Sequence, residues 1–338
     1  KPIGSIFSGG LETPHRWKDS VQNEAEVRIW VADGIANGSR PWFTKFSGTL
    51  YDTRWLEFVK DIYEWHKHAE LYLRNEESLA RVGMVYSEQT ERFYREKPQN
   101  NEYHNLGMYH ALIEARIPFE MVNDQLLDPE HIKRFKLLIL PNIAALSDEQ
   151  CQLLREYVKR GGSLLATFET SLYNQWGDQR TNFGLSELLG VTYKGLLEGP
   201  MKNSYLSLNK DPKTGKYHPI LDGLEDATRI INGIWRLDVK PLGKFPSPIT
   251  LIPSYPDLPM EDVYPRTLKT EICMVYLRDL GKSRIAYFPL DIYRTFWEVM
   301  NNYHSRLLQN TINWATNEEK PVTVKGPGVL DVTVWRQK

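Results

Sequence analysis

The chain has 338 residues, enough for two domains or one large one with sizeable cores. Its 41% hydrophobic and 25% charged content is ordinary for a globular protein, and a net charge of −1 without long blocks of like charge gives no reason to expect a nucleic-acid or other polyanionic partner. No stretch reaches the roughly 18 apolar residues of a membrane span, so no membrane partner is expected.

The first ~75 residues read as two strand–helix units. "PIGSIFS" is a short apolar run ended by Gly9-Gly10 and suits a buried strand. "SVQNEAEVRIWVADGIANG" has helical spacing at Val21, Ala25, Ile29, Ala32 and Ile35, with Gly38 as its C-cap. "RPWFTKF" is the next strand, and "TRWLEFVKDIYEWHKHAELYL" a long amphipathic helix. Two such units cannot form a domain alone. They need further parallel strands beside them, or another chain.

From Arg81 a regular α/β series begins. Strands are predicted at 81–87, 119–124, 136–142 and 163–169, with helices at about 104–116, near 129–135 and at 148–160. The last of these helices has Ser147 as N-cap, acids in its first turn, and Gly161-Gly162 at its end. This alternation predicts a flavodoxin-like or doubly wound parallel sheet. Past Gly190 the pattern turns to strands: "NSYLSLN", "GIWRLDVKPL", "ITLIPSY", "TEICMVYLRD" and "SRIAYFPLDI", the last two joined by a Leu280-Gly281-Lys282 turn. A helix over ~302–316 follows. The closing "GVLDVTVWRQK" reads as a lone strand with nothing to pair with, suggesting a further domain beyond it.

Cys151 and Cys273 give neither a disulfide framework nor a metal cluster, and both read as buried thiols. The opening "KPIGSIFSGG" has no methionine and looks like a processed or trimmed chain, so the compartment stays open. Twelve per cent of the residues are aromatic, which suits sugar stacking and a large core equally well.

The α/β series prompts a search for a nucleophile on a sharp strand-to-helix turn. The position is occupied by "ATFETS", without cysteine or flanking glycine, so amidotransferase activity is not expected. The loop "SEQTERFYREK" has no glycine and carries Glu88 and Glu91, which opposes a flavin phosphate; a dinucleotide fingerprint is absent too. No cofactor is expected. His66 and His68, two apart on a helix, and His104 and His110, six apart, are badly spaced for a shared ion and read as surface or hydrogen-bonded histidines. No metal is expected.

Carboxylates remain. Glycoside hydrolysis needs a pair of them, and Glu12 in "IFSGGLETPHRW" is the sole acid just beyond either early strand. Trp42 and Lys45 offer an aromatic platform and a cation at a strand end. Beyond the strand at 163–169 come Glu169, Tyr173 and Arg180, where α/β sheets bind ligands. From these residues alone an active-site loop, a subunit contact and a capped strand end with a Glu169–Arg180 surface pair all stay open.

Two βα units, then "FKLLILPNIAALSDEQCQLLREYVKRGGSLLATFETSLYN" and "FGLSELLGV", then "RIAYFPLDIYRTFWEVMNNYHSRLLQNTINWA" form an informative order. It resembles the second half of family-42-type β-galactosidases and related glycosyl hydrolases. There a catalytic TIM barrel is followed by an amidotransferase-like trimerisation domain that lacks the nucleophile, and a small β domain comes last. The resemblance implies the last βα units of a (β/α)8 barrel at 1–76, an amidotransferase-like domain at 77–320, and the start of a β domain at 321–338. It implies part of an enzyme acting on O-glycosidic bonds of β-galactoside-like or related sugars, working as a trimer or dimer. The family's nucleophile lies at the end of the seventh barrel strand; the corresponding segment here is "IGSIFSGGLETP", where Glu12 is the only carboxylate nearby and the two glycines before it depart from the family pattern. The resemblance also implies that the edge with Glu169, Tyr173 and Arg180 faces the barrel mouth of its own or a neighbouring subunit, as rim or interface contacts. The alternative is a non-catalytic sugar-binding or oligomerisation module similar to ThuA-like proteins.

Overall fold

A computed structural model of the chain describes residues 3–10, 17, 19–45, 49–94 and 101–337. They form two compact units, one of residues 1–79 and 331–338, the other of residues 80–330.

In the first unit the strands Ile3–Ser8 and Ser39–Thr44 pair in parallel, each followed by a helix. Glu24–Ala36 starts at Asn23, whose side chain accepts from the Ala25 N–H at 2.9 Å. It buries Val27, Val31 and Ile35, an i, i+4, i+8 stripe. Trp55–Ala69 turns Trp55, Phe58, Val59 and Ile62 onto that stripe, and together these seven residues are the unit's core. The terminal strand is not alone, as the sequence suggests. Only Trp335–Arg336 becomes strand, and it pairs antiparallel with Glu77–Ser78. Trp335 Nε1 also donates to the Ala36 carbonyl at 2.8 Å, which covers one of the helix's last open acceptors.

The second unit is built on a six-stranded sheet. Its order is Phe119–Asn123, Val82–Tyr86, Leu137–Leu140, Ser163–Thr167, Arg284–Phe288, all parallel, with Tyr276–Asp279 antiparallel at the edge. The central strands are near-continuous apolar runs because both faces are covered. Met84, Leu137 and Ile139 enter one core, with the helices Asn101–Glu114, Ile292–Val299 and Asn302–Thr316; Val85, Leu138 and Leu140 enter the other, with Asp148–Lys159. Ser147 caps that last helix in a capping box with Gln150. Beside the sheet lie a pair, Val191–Glu198 with Arg236–Pro241, and a three-stranded sheet of Ile230–Ile231, Tyr205–Leu208 and Ile249–Ile252. Two helices lie where the sequence gives loop or strand, Glu88–Phe93 and Ile292–Val299, both short and lacking a long periodic run.

Candidate functional site

The chain runs from Val82–Tyr86 outward to Phe119–Asn123, then crosses to Leu137–Leu140 on the other side. Strand order therefore reverses between Val82–Tyr86 and Leu137–Leu140, and the crevice beyond their carboxyl ends is where such sheets place ligands. A polar network fills this position. Ser87 Oγ donates to Asp124 Oδ2 at 2.8 Å and accepts from the Thr90 N–H at 3.0 Å, so it caps Glu88–Phe93 and ties two strand ends together. Asn142, just past Leu137–Leu140, donates to Asn101 Oδ1 at 3.0 Å and accepts from the Glu169 N–H at 3.1 Å. Asn101 in turn donates to Glu91 Oε1 at 2.6 Å.

Glu169 lies at the centre of this network. The strand Ser163–Thr167 ends in Phe168 at φ 51°, a left-handed conformation uncommon for an aromatic residue. At this sharp turn, where the sequence prompts a search for a nucleophile, Phe168 is wholly buried. The Glu169 carboxylate accepts from Tyr94 Oη and, at 3.1 Å, from Tyr173 Oη. The two phenol rings meet edge to face at 5.2 Å and seal it. Burial first, then the Glu169 charge, raises the Tyr94 phenol well above its ordinary value. Glu169 is 0% exposed, so the expected surface pair with Arg180 is replaced. Arg180 instead reaches Asp148 Oδ1 at 2.7 Å and the Leu146 carbonyl at 3.0 Å.

The remaining sequence candidates lie in the first unit. Trp42 pairs with Ile6 and is 59% exposed, and Lys45 Nζ donates to the Ser20 carbonyl. Glu12 lies outside the described residues. Cys151 is buried, as expected, and burial pushes its thiol up to about 11, far from a reactive thiolate. Cys273 is half-buried, on a bridge to Thr250. His104 corrects a further expectation: it is neither on the surface nor hydrogen-bonded, with both ring nitrogens buried and unpartnered. Among the described residues no three His, Cys, Asp or Glu side chains converge to hold a metal, and no helix is long and apolar enough to cross a membrane.

Sequence reasoning missed Tyr94, Asn142, Asn101 and Asp124. The one signal available was Ser87, a capping residue followed three positions later by Thr90 and flanked by acids. Beside the network opens a pocket of 460 Å³, lined by Tyr86, Glu91, Glu102, Asn105, Tyr109 and apolar neighbours. Rich in acceptors, it suits a ligand that donates hydrogen bonds.

Comparison with known proteins agrees with this architecture. Residues 80–199 match the family model described as the beta-galactosidase trimerisation domain. No curated protein matches. Among solved structures, beta-galactosidase from Bacillus circulans sp. alkalophilus superposes with a TM-score of 0.66 at 14% identity, over 92% of this chain and 44% of that one. Alpha-L-fucosidase isoenzyme 2 from Paenibacillus thiaminolyticus gives 0.67 at 16% identity, over 91% and 44%. The beta-galactosidase of the Antarctic haloarchaeon Halorubrum lacusprofundi gives 0.62 at 13%, over 95% and 45%. The chain thus spans less than half the length of these proteins. Segment 80–199 is similar to the β-galactosidase trimerisation domain, and the chain shares the fold of the corresponding part of these glycosidases.

Proposed function

We propose that the chain is part of a glycoside hydrolase acting on β-galactoside-like or related sugars, with residues 80–330 serving assembly and the shape of the active-site rim. The match of residues 80–199 to the trimerisation-domain model carries this reading. The parallel strand order, second–first–third–fourth–fifth along the domain, supports a flavodoxin-like sheet of amidotransferase type. Phe168 at the turn agrees with a domain that has no nucleophile of its own. The parallel pair Ile3–Ser8 and Ser39–Thr44, each strand followed by a helix, is what the last two units of a barrel require.

In this reading Glu12 takes the part of the nucleophile, with Trp42 on the neighbouring strand Ser39–Thr44 and Lys45 just past its end. Glu169 acts indirectly. Buried between Tyr94 and Tyr173, it fixes the wall from which Arg180 and its neighbours project. A carbohydrate is the substrate, and the working form is a trimer or dimer.

Hydrolysis needs two carboxylates flanking the bond. Purified 1–338 is therefore expected to leave nitrophenyl β-galactosides intact, while the longer protein containing a full barrel cleaves them. Light scattering is expected to find an oligomer for both. Hydrolysis by 1–338 alone, abolished by Glu12→Gln, would overturn the division of labour, and a monomeric longer protein would overturn the assembly role.

A further inference from the structure

We propose that a lysine-lined groove in the unit 80–330 binds an anionic saccharide, one bearing uronate or sulfate groups. Three separated stretches build it. The first is the hairpin running on from Tyr205–Leu208, closed by a bridge between Lys210 and Tyr217. The second is the loop 244–248 before Ile249–Ile252, tied to the hairpin by the Asn209 N–H on the Pro248 carbonyl at 2.8 Å. The third is the segment with Lys269 and Glu271, ahead of the bridge between Thr250 and Cys273. Together they line a groove of 780 Å³.

Its charge is one-sided. Lys210, Lys213, Lys216, Lys244 and Lys269 all line the groove and all are exposed. None forms an ion pair among the described residues, whereas Lys133, Lys194 and Lys202 each have a carboxylate within 3.0 Å. The acids in the lining are Asp211 and Glu271. The Asp211 carboxylate is engaged by the hairpin's own backbone, accepting from the Lys213 N–H at 2.7 Å and the Thr214 N–H at 3.1 Å. A chain of net charge −1 thus gathers five cations against two acids in one concavity. Such a field concentrates anions locally.

The lining also narrows the class of ligand. The rings of Tyr217 and Phe245 offer apolar faces, with Lys210 Nζ 5.3 Å above the Tyr217 ring. A sugar ring can lay its C–H face on such a surface while its anionic group meets an ammonium. No arginine lines the groove, so the planar bidentate fork that favours phosphate and nucleic acid is missing. His218 adds no charge near neutrality, because burial lowers its pKa, with Arg284 adding to the effect. The strands that carry two of these stretches are well anchored: Leu206 on Tyr205–Leu208, and Ile249 and Leu251 on Ile249–Ile252, are buried.

This inference stands independently of the glycosidase reading. The test titrates the full chain with oligogalacturonate, a neutral galacto-oligosaccharide, and single-stranded DNA of equal charge. Oligogalacturonate is expected to bind most tightly at low salt and to weaken as salt rises. The variant Lys213→Gln/Lys216→Gln/Lys244→Gln is expected to lose roughly tenfold in affinity. The charge-matched Lys60→Gln/Lys67→Gln/Lys159→Gln, at lysines that do not line the groove, is expected to lose none. Equal loss in both variants, absence of oligogalacturonate binding, or tighter binding of DNA or of the neutral sugar would each overturn the proposal. All six positions are on the surface, and matching circular dichroism spectra would show that every variant is folded.

Discussion

His104 enters the second unit on the helix Asn101–Glu114 with its ring stacked on Phe168, centroids 5.8 Å apart. Burial, and after it the Arg294 charge, lowers its pKa from 6.5 to about 3, so the folded protein holds it neutral. The folded value lies below the unfolded one, so the unfolded chain takes up the proton first. The stability that rests on the neutral ring is complete above about 6.5 and drains away as pH falls towards 3. At about 1.4 kcal/mol per unit, the loss between about pH 7 and about pH 5 is roughly 2 kcal/mol. Replacing His104 by Leu removes both the titration and two unpartnered buried nitrogens. Urea unfolding is expected to show His104→Leu losing about 2 kcal/mol less than the parent over that pH span. An identical pH loss in the two proteins would mean that His104 does not titrate as its burial implies. Nothing near His104 in the chain announces this. A histidine's neighbours decide its state, and Phe168 and Arg294 come from distant segments.

At the scale of elements, what could be read in advance is what is settled locally. Ser147 and Gln150 lie three apart and satisfy each other, so the start of Asp148–Lys159 was visible. The terminal strand was not, because its partner Glu77–Ser78 lies at the other end of the chain and covers two residues only. Glu169 looked like a surface acid because Tyr94, which helps to bury it, follows a different strand. The lysines of the groove come from three stretches, so no run of like charge announced them. Gly107 makes a related point about a helix. A Cβ there would come within 2.0 Å of the Tyr293 carbonyl oxygen, because Asn101–Glu114 and Ile292–Val299 meet at this point. Alanine would gain up to about 1 kcal/mol of helix propensity. Forcing two backbones apart costs roughly 1–3 kcal/mol or more, because the clashing atom belongs to the main chain and cannot rotate away. Gly107→Ala is therefore expected to lower the urea midpoint despite the better helix former. A raised midpoint would show that the two helices can separate at little cost.

At the scale of the whole molecule, the two units differ in what holds them together. The second has a six-stranded sheet with a large apolar cluster on each face. The first rests on two two-stranded sheets and, among the described residues, a seven-residue core, and it leaves Ile3 71%, Ile6 60% and Trp42 59% exposed. A small unit buries a smaller share of its surface, and its stability falls accordingly. Unfolding of the chain should therefore not be two-state. Its ten tryptophans allow the units to be followed separately: Trp17, Trp30, Trp42, Trp55, Trp65 and Trp335 belong to the first unit, and the other four to the second. Heating is expected to give an early transition that dominates tryptophan fluorescence, followed by a later one that carries most of the far-ultraviolet signal. Hydrogen exchange below the first transition is expected to find Glu24–Ala36 open while Leu137–Leu140 stays protected. Coincident transitions by both probes would mean that the first unit draws its stability from the second, and its small core would then say little about how the chain holds together.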